Sequence, residues 1–553
     1  MKYVKRTQCQ NVQELFLNNL GVSSLDEVTT WFRRYKEDSY DIKGIDTIEL
    51  MIRQLPKDTP VIIAGDYDVD GVTSSAIMFL TLTWLGFKNV KIYIPNRFTD
   101  GFGLNEKAFA LYDHGLIFTV DNGIAQVEAV AKAKQLGYKV IVTDHHEPSV
   151  DENGNAAIPG ADVVIDPNAI PGQADFCGYC GAGIAFKIAR RLLNNDTEKR
   201  QILLSLACLG TVCDVMELRE ENYVFVRNGL KCLKRRNTTT AGTYALVQAF
   251  NAADTLTAHD CGFLLGPAIN AMSRMLGDAT EAVDLLKFDG PYEKARVSAM
   301  KLVEINNRRK EQTQIAYRKL KEAIDSSPLK DQAPIVAYLP GISEGLIGIL
   351  AGKVSEEYQV PAIILSDSSE KDVLKGSARS LNGYHMKNHL DLVSTLLLNY
   401  GGHKEAAGLT LLSSNLDEFR NSLLGFNDFI RISSDNIIEY DLELKPEDIK
   451  KTLEEMSMYE PYGEGNEAPV FRIDSYKLKP NKYGKLKQLC GNDLQTVRLE
   501  NNYANAIGFN MAKYAEEIED CTLLSLYGTL SWNNFNGKRT PQIEFIGVEK
   551  QSA

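Results

Sequence analysis

The sequence predicts an α/β protein in which a parallel-sheet domain is followed by a second, smaller α/β domain and a C-terminal β-barrel. Three observations carry that expectation. From about residue 60, short apolar β-rich runs alternate with helical stretches, which is the pattern of a parallel sheet covered on both faces. The same alternation resumes near Pro334 after a long helical stretch. After Ser434 the chain turns β-rich, with turn signals at Pro461, Gly463, Gly465, Pro480, Gly484 and Gly537. The chain has 553 residues, several times what one core supports, and 44% hydrophobic with 24% charged residues is the composition of a folded globular protein.

In chain order, Met1 to Phe16 is polar and lacks the apolar centre of a signal peptide. No run of about eighteen apolar residues occurs, so a cytoplasmic chain that does not cross a membrane is expected. The first sheet is assigned to Val61–Ala64, Val90–Ile94, Ile117–Val120, Val140–Thr143 and Val163–Ile165, with helices over Val72–Leu85 and Ile124–Gln135. Gly181 to about Ile324 is mainly helical, with basic clusters at Arg190/Arg191, Lys231/Lys234/Arg235/Arg236 and Arg308/Arg309/Lys310 that are ordinarily solvated faces. A strand to Leu339, a helix after Gly345 and strands at Pro361–Leu365 and Val373–Ser377 form the second α/β domain, ending near residue 427. Nine cysteines, an odd number, suit a reducing compartment. Cys177 and Cys180 have C-x-x-C spacing, but no second pair completes a zinc site. Lys plus Arg is 61 and Asp plus Glu 73, a net charge of -12, which argues against bulk coating of nucleic acid.

In parallel sheets, ligands gather beyond the carboxyl ends of the strands. The first strand runs into Gly65-Asp66-Tyr67-Asp68-Val69-Asp70-Gly71, whose three aspartates alternate and would share one face of an extended chain. The next strands end in Pro95-Asn96-Arg97, Asp121-Asn122-Gly123 and Asp144-His145-His146, and Asp214 emerges from another apolar run. If Asp66, Asp68, Asp70, Asp121 and Asp214 converge, each like-charged pair at about 4 Å costs on the order of 4 kcal/mol at an effective dielectric of about 20. Cations must then be present. Carboxylates with an imidazole suit Mn²⁺ or Mg²⁺, and two ions suit in-line phosphoryl chemistry. A calcium loop is disfavoured because Ile77 stands where its last glutamate belongs. Read singly, each aspartate is a cap or turn residue; as a set they are not.

These segments resemble the Asp-His-His (DHH) phosphoesterase superfamily, and specifically its RecJ branch of single-strand-specific 5′ to 3′ exonucleases. Gly65–Gly71, Val120–Gly123, Asp144–His146 and Gly210–Leu218 are similar to its four acidic motifs. Asp100–Leu104, Cys180–Gly183 and Gly266–Arg274 resemble RecJ-specific segments. Lys375–Ser380 and Gly401–Gly408 resemble the DHHA1 domain, and Glu460–Asn466 with Pro469-Val470-Phe471 the start of an oligonucleotide-binding (OB) barrel. The resemblance implies an N-terminal helical extension over 1–45, a DHH domain over 46–215, a helical connection over 216–330, DHHA1 over 331–427 and an OB-fold over 428–553.

The resemblance further implies that Asp66, Asp68 and Asp121 hold one metal ion and Asp70, Asp121, His145 and Asp214 the other. Asp144 would orient His145, and His146 would lie near the scissile phosphate. Arg97, Arg274, Ser377 and Arg379 match positions that receive a terminal 5′-phosphate, with His403 reaching the cleft from the DHHA1 side. Where the family shows an aromatic-His pair this chain has Ile342-Ser343-Glu344-Gly345, and Met272 and Ser273 replace two small residues.

The expected activity is hydrolysis of the terminal phosphodiester of single-stranded DNA, releasing 5′-mononucleotides in repair and recombination. By the same resemblance, a single-strand-binding protein and a helicase would be collaborators. The barrel would grip the strand through Lys477, Lys479, Lys482, Lys485 and Lys487 with Tyr476 and Tyr483 as stacking faces; Trp532 is a weaker candidate. Two rivals are a phosphodiesterase of short oligonucleotides, which the barrel argues against, and an inactive DNA-binding scaffold, which the full acidic set argues against.

Overall fold

The computed structural model describes residues 2–150, 154–194, 196–381, 383–425, 437–491, 494–514, 518, 523–535 and 538–551. The chain opens with a short strand, β1 (Lys2–Lys5). The first sheet follows as β2 (Val61–Ala64), helix α1 (Val69–Trp84), β3 (Val90–Tyr93), β4 (Leu116–Thr119), β5 (Lys139–Thr143) and β6 (Val163–Ile165). Its order is β3-β2-β4-β5-β6, and every neighbouring pair is parallel. β2 and β4 are wholly buried, which is why they read as continuous apolar runs rather than alternating ones. The chain leaves β2 to one side for β3 and to the other for β4, so the topological switch point lies between β2 and β4. Asp66 follows β2 and Asp121 follows β4.

The expected helix at Val72–Leu85 begins three residues earlier. Asp68 caps it, its side chain accepting from the Gly71 N–H at 3.1 Å. The three aspartates therefore do not share a face of an extended chain: Asp66 lies on the extended approach, Asp68 at the cap and Asp70 in the first helical turn. The second expected helix starts at Val127 rather than Ile124.

Helices α2 (Gly181–Leu192), α3 (Thr197–Cys213) and α5 (Gly266–Leu276) pack beside α1, α4 (Glu220–Leu233) packs on α3, and the 34-residue α6 (Tyr292–Asp325) leads to the second domain. There, β7 (Ile335–Tyr338), α7 (Glu344–Tyr358), β8 (Ala362–Asp367), β9 (Val373–Arg379), β10 (Leu397–Gly402) and β11 (Ala406–Leu412) form a sheet of order β10-β11-β9-β8-β7. Only β7 and β8 are parallel. The expected boundary near residue 427 lies outside the described residues.

The C-terminal part holds β12 (Ile437–Tyr440), β13 (Leu442–Leu444), β14 (Phe471–Lys477), β15 (Lys487–Cys490), β16 (Thr496–Leu499), β17 (Asn505–Gly508), β18 (Leu523–Phe535) and β19 (Lys538–Lys550). The last seven make one mixed sheet, β13-β14-β18-β19-β17-β16-β15, while β12 pairs in parallel with β1. Its apolar residues belong to the same core cluster as those of the first sheet and α2–α5. Tyr476 is fully buried with its hydroxyl donating to Ala504 O at 2.8 Å, so it cannot be the stacking face expected of it. Tyr483 is 66% exposed with Lys482 against its ring. Among the described residues no helix is long and apolar enough to cross a membrane.

Candidate active site and metal centre

The acidic residues converge at the carboxyl ends of β2, β4 and β5. Asp66, Asp68 and Asp121 present oxygens within 4.8 Å of one another; the ligand atoms of Asp70, His145 and Asp214, and of Asp121, His145 and His146, gather as closely. His145 Nε2 lies 3.1 Å from Asp121 Oδ1, 3.5 Å from Asp214 Oδ2 and 3.7 Å from Asp70 Oδ2. Local backbone geometry makes this possible. Gly71 packs so tightly on the Asp66 backbone that a Cβ there would sit 2.5 Å from Asp66 O. Asp121 adopts a left-handed φ of 62°, its N–H bonded to Thr143 O, while the Asn122 side chain donates to Ala64 O and Val120 O. Asp70 is anchored by the N–H groups of Gly181 and Ala182 at the start of α2.

Electrostatics then demand a counter-charge. Burial, followed by the neighbouring carboxylates, raises the pKa of Asp66, Asp68 and Asp121, and pushes Asp214 up to about 8. Burial also lowers the pKa of His145. Asp66 Oδ1, Asp121 Oδ1 and His145 Nε2 are buried without a hydrogen-bond partner among the described residues. Buried polar atoms are seldom left so, and hard oxygen donors with imidazole suit Mg²⁺ or Mn²⁺. The cluster fits divalent cations.

Asp144 departs from its expected place. Its Oδ1 is 2.7 Å from His146 Nδ1 and accepts from the His145 backbone N–H at 2.8 Å, so it orients the ring of His146 rather than that of His145. The reason is the turn after β5, which directs the His145 ring into the cluster and leaves that of His146 beside the acid. Burial opposes the charge on both members of the pair, yet the mutual hydrogen bond wins: Asp144 is held below the usual carboxylate range and His146 rises to about 9.

Arg97, Arg274, Ser377 and Arg379 line one cavity of about 460 Å³ between the two α/β domains. Burial and the charges of Arg97, Arg309 and Arg379 lower Arg274 to about 10, as expected of guanidinium groups crowded without an anion. His403 is not in that cavity. It faces Glu147 across the cleft at 3.7 Å, with 63% of its side chain exposed.

Several residues in the cavity or beside the histidines were not singled out from the sequence. Tyr67 lies in the cavity under the Arg97 guanidinium at 4.8 Å, and Glu344 pairs with Lys375 at 2.8 Å where the family's aromatic-His pair was missed. Phe102 sets its edge against His146 at 5.7 Å. Asn168 donates to the His145 carbonyl at 2.7 Å, and buried Asp166 rises to about 7, chiefly through burial. Asp-Pro-Asn after β6 was the available signal for these last two, since it also follows a strand of this sheet.

Residues 60–211 match the N-terminal domain of the DHH family, 331–426 the DHHA1 domain and 440–546 the RecJ OB domain. The single-stranded-DNA-specific exonuclease RecJ of Dickeya dadantii is 32% identical over 534 residues, covering 90% of this chain and 88% of that protein. The chain belongs to the RecJ family. RecJ of Bacillus subtilis is 34% identical over 92% of this chain, which spans 63% of that protein's length. The crystal structure of RecJ from Thermus thermophilus in complex with Mn²⁺ shares the fold at 24% identity, with a TM-score of 0.76 over all of this chain and 80% of that one. The matches to DHH, DHHA1 and RecJ OB domains agree with the α/β class and β-rich C-terminal region expected from the strand pattern, and with the domain identities that the resemblance implied.

Proposed function

We propose that this chain is a metal-dependent, single-stranded-DNA-specific exonuclease that degrades from the 5′ end and releases 5′-mononucleotides. One observation carries the reading: a cation-demanding carboxylate cluster and an arginine-lined cavity open on the same cleft between two domains. Asp66, Asp68 and Asp121 would hold one ion and Asp70, Asp121, His145 and Asp214 a second, with His146 in reach of the cluster. When bound, the ions neutralise the carboxylates, activate water and stabilise the charge of an in-line displacement at phosphorus.

The protein groups do the rest. Arg97, Arg274 and Arg379 offer forked donors, and Ser377 a hydroxyl, to the terminal 5′-phosphate. His146, held through Nδ1 by Asp144, would present its other nitrogen to the phosphate or the departing 3′ oxygen. The Glu147–His403 approach across the cleft supports a passage narrow enough for one strand. Tyr483 and the lysines beside it offer the strand a stacking face and phosphate neutralisation farther along.

The domain division we adopt is 1–45, 46–215, 216–330, 331–427 and 428–553. We extend to this chain a cytoplasmic setting and a part in repair or recombination with a helicase and a single-strand-binding protein as collaborators, a reading that rests on the resemblance to RecJ. The test presents end-labelled single strands bearing a 5′-phosphate or 5′-hydroxyl, and a duplex end, with Mn²⁺ or a chelator. Mononucleotides released from the phosphorylated single strand in Mn²⁺ alone are expected. Equal attack on the duplex, or release in the chelator, would contradict the proposal.

A further inference from the structure

α3 ends at Asp214, a member of the acidic cluster, and the two residues that follow close its C-terminus in a Schellman motif: Met216 N–H donates to Thr211 O at 3.1 Å and Val215 N–H to Val212 O at 3.2 Å. The motif requires a left-handed residue, and Val215 takes a φ of 55°. Glycine or asparagine normally fills this place, because a β-branched side chain is strained there. Among the described residues Val215 is the one β-branched residue with positive φ. The strain gains no packing. Val212, Cys213 and Met216 lie against the main core, whereas Val215 is 64% exposed.

A second irregularity adjoins the first. A π-helical turn at Cys261–Leu265 packs on the end of α3, with Cys213 Sγ 3.4 Å from Cys261 O, and it turns Phe263 outward to 66% exposure with its ring stacked on His259 at 4.3 Å. Such turns gather at functional sites, and so does unrewarded backbone strain. The position is directional. The arginine cavity lies on the DHHA1 side of the acidic cluster, while three residues beyond Val215 the Leu218 N–H bonds Glu464 O, in the segment of the C-terminal region between β13 and β14. Val215 is therefore on the side toward which the strand would leave.

We infer that Val215 is a substrate contact: with Phe263 it forms an apolar shelf for the sugar and base of the nucleotide immediately 3′ of the scissile phosphate. This rests on the exonuclease reading above. Aliphatic and aromatic faces accept any base, so the shelf would align successive nucleotides without reading sequence.

The test compares the full-length wild type with Val215→Gly, Val215→Asn and Phe263→Ala. One substrate is a 5′-phosphorylated single strand of about 20 nucleotides, long enough to pass well beyond the site; the other is 5′-phosphothymidine 3′-(p-nitrophenyl phosphate), which has no nucleoside beyond the scissile phosphate. Val215→Gly is expected to raise the unfolding temperature, because glycine relieves the strain. It should at the same time lower the preference for the oligonucleotide over the nitrophenyl ester, measured as the ratio of KM values, by roughly tenfold. Val215→Asn and Phe263→Ala should lower that ratio in the same direction. An unchanged ratio in Val215→Gly overturns the inference, as does a lowered unfolding temperature, which would make the valine a packing residue. If the wild type cleaves both substrates and the variants match it, only the shelf is lost; if the wild type cleaves neither, the exonuclease reading falls with it.

Discussion

Asp66, Asp68, Asp121 and Asp214 each hold protons more tightly than a free carboxyl, because burial and mutual repulsion both oppose their charge. For Asp214 the folded, metal-free value of about 8 lies above the unfolded value of about 4. Its contribution to metal-free stability is therefore full below about pH 4 and lost as pH rises through 8. Binding of Mn²⁺ at neutral pH must displace those protons, and titration calorimetry in buffers of different ionisation enthalpy should detect their release; a buffer-independent heat would contradict this assignment. Asp68→Ala and Asp121→Ala should each lower Mn²⁺-dependent nucleotide release on the order of a thousandfold with folding retained by circular dichroism. Arg274→Ala should reduce the preference for a 5′-phosphate over a 5′-hydroxyl by on the order of ten- to a hundredfold, the worth of charge-assisted hydrogen bonds, as read from kcat/KM on the two strands.

At the scale of elements, the cavity depends on how closely α7 approaches α5. A Cβ on Gly345, at the start of α7, would lie 1.9 Å from the Arg274 carbonyl oxygen at the end of α5, and Arg274 Nη1 reaches back toward Gly345 O at 3.4 Å. Gly345→Ala must push the two helices apart and move Arg274 relative to Ser377 and Arg379. A KM increase of roughly tenfold for 5′-phosphorylated strands is expected, with a loss of about 1–3 kcal/mol in stability from overpacking. Wild-type kinetics in that variant would show that the arginines tolerate the shift. The strands were legible because β2 and β4 are buried on both faces and so carry unbroken apolar runs. The start of α1 was misplaced because Asp68, an acid expected to be a ligand, also caps the helix, and periodicity does not register a cap.

Across the whole molecule, the two ends of the chain are tied together. β1 pairs with β12, Tyr3 stacks on Tyr527 at 3.8 Å, and Arg6 makes a two-pronged bond to fully buried Asp441, which also accepts from the Val470 N–H. Arg6→Ala leaves that carboxylate buried and without its cation, so a loss of about 3 kcal/mol is expected in thermal unfolding; Asp441→Asn, which removes the charge, should cost less. None of this was legible from the N-terminal residues, since pairing between distant ends of the chain leaves no local pattern. The class of fold and the acids at the ends of β2, β4 and β5 could be read along the chain, because strand periodicity and chain reversal place those residues at one edge of a sheet, whereas Arg274 on α5 and Ser377 and Arg379 on β9 were reached only through the family resemblance. Packing between remote segments was needed to establish that Asp144 serves His146, that Tyr476 belongs to the core, that Glu344 and Lys375 stand in the arginine cavity and that Val215 is strained in the open. Those outcomes depend on which distant surfaces meet when the domains close, and a linear pattern of apolar and charged residues does not carry that information.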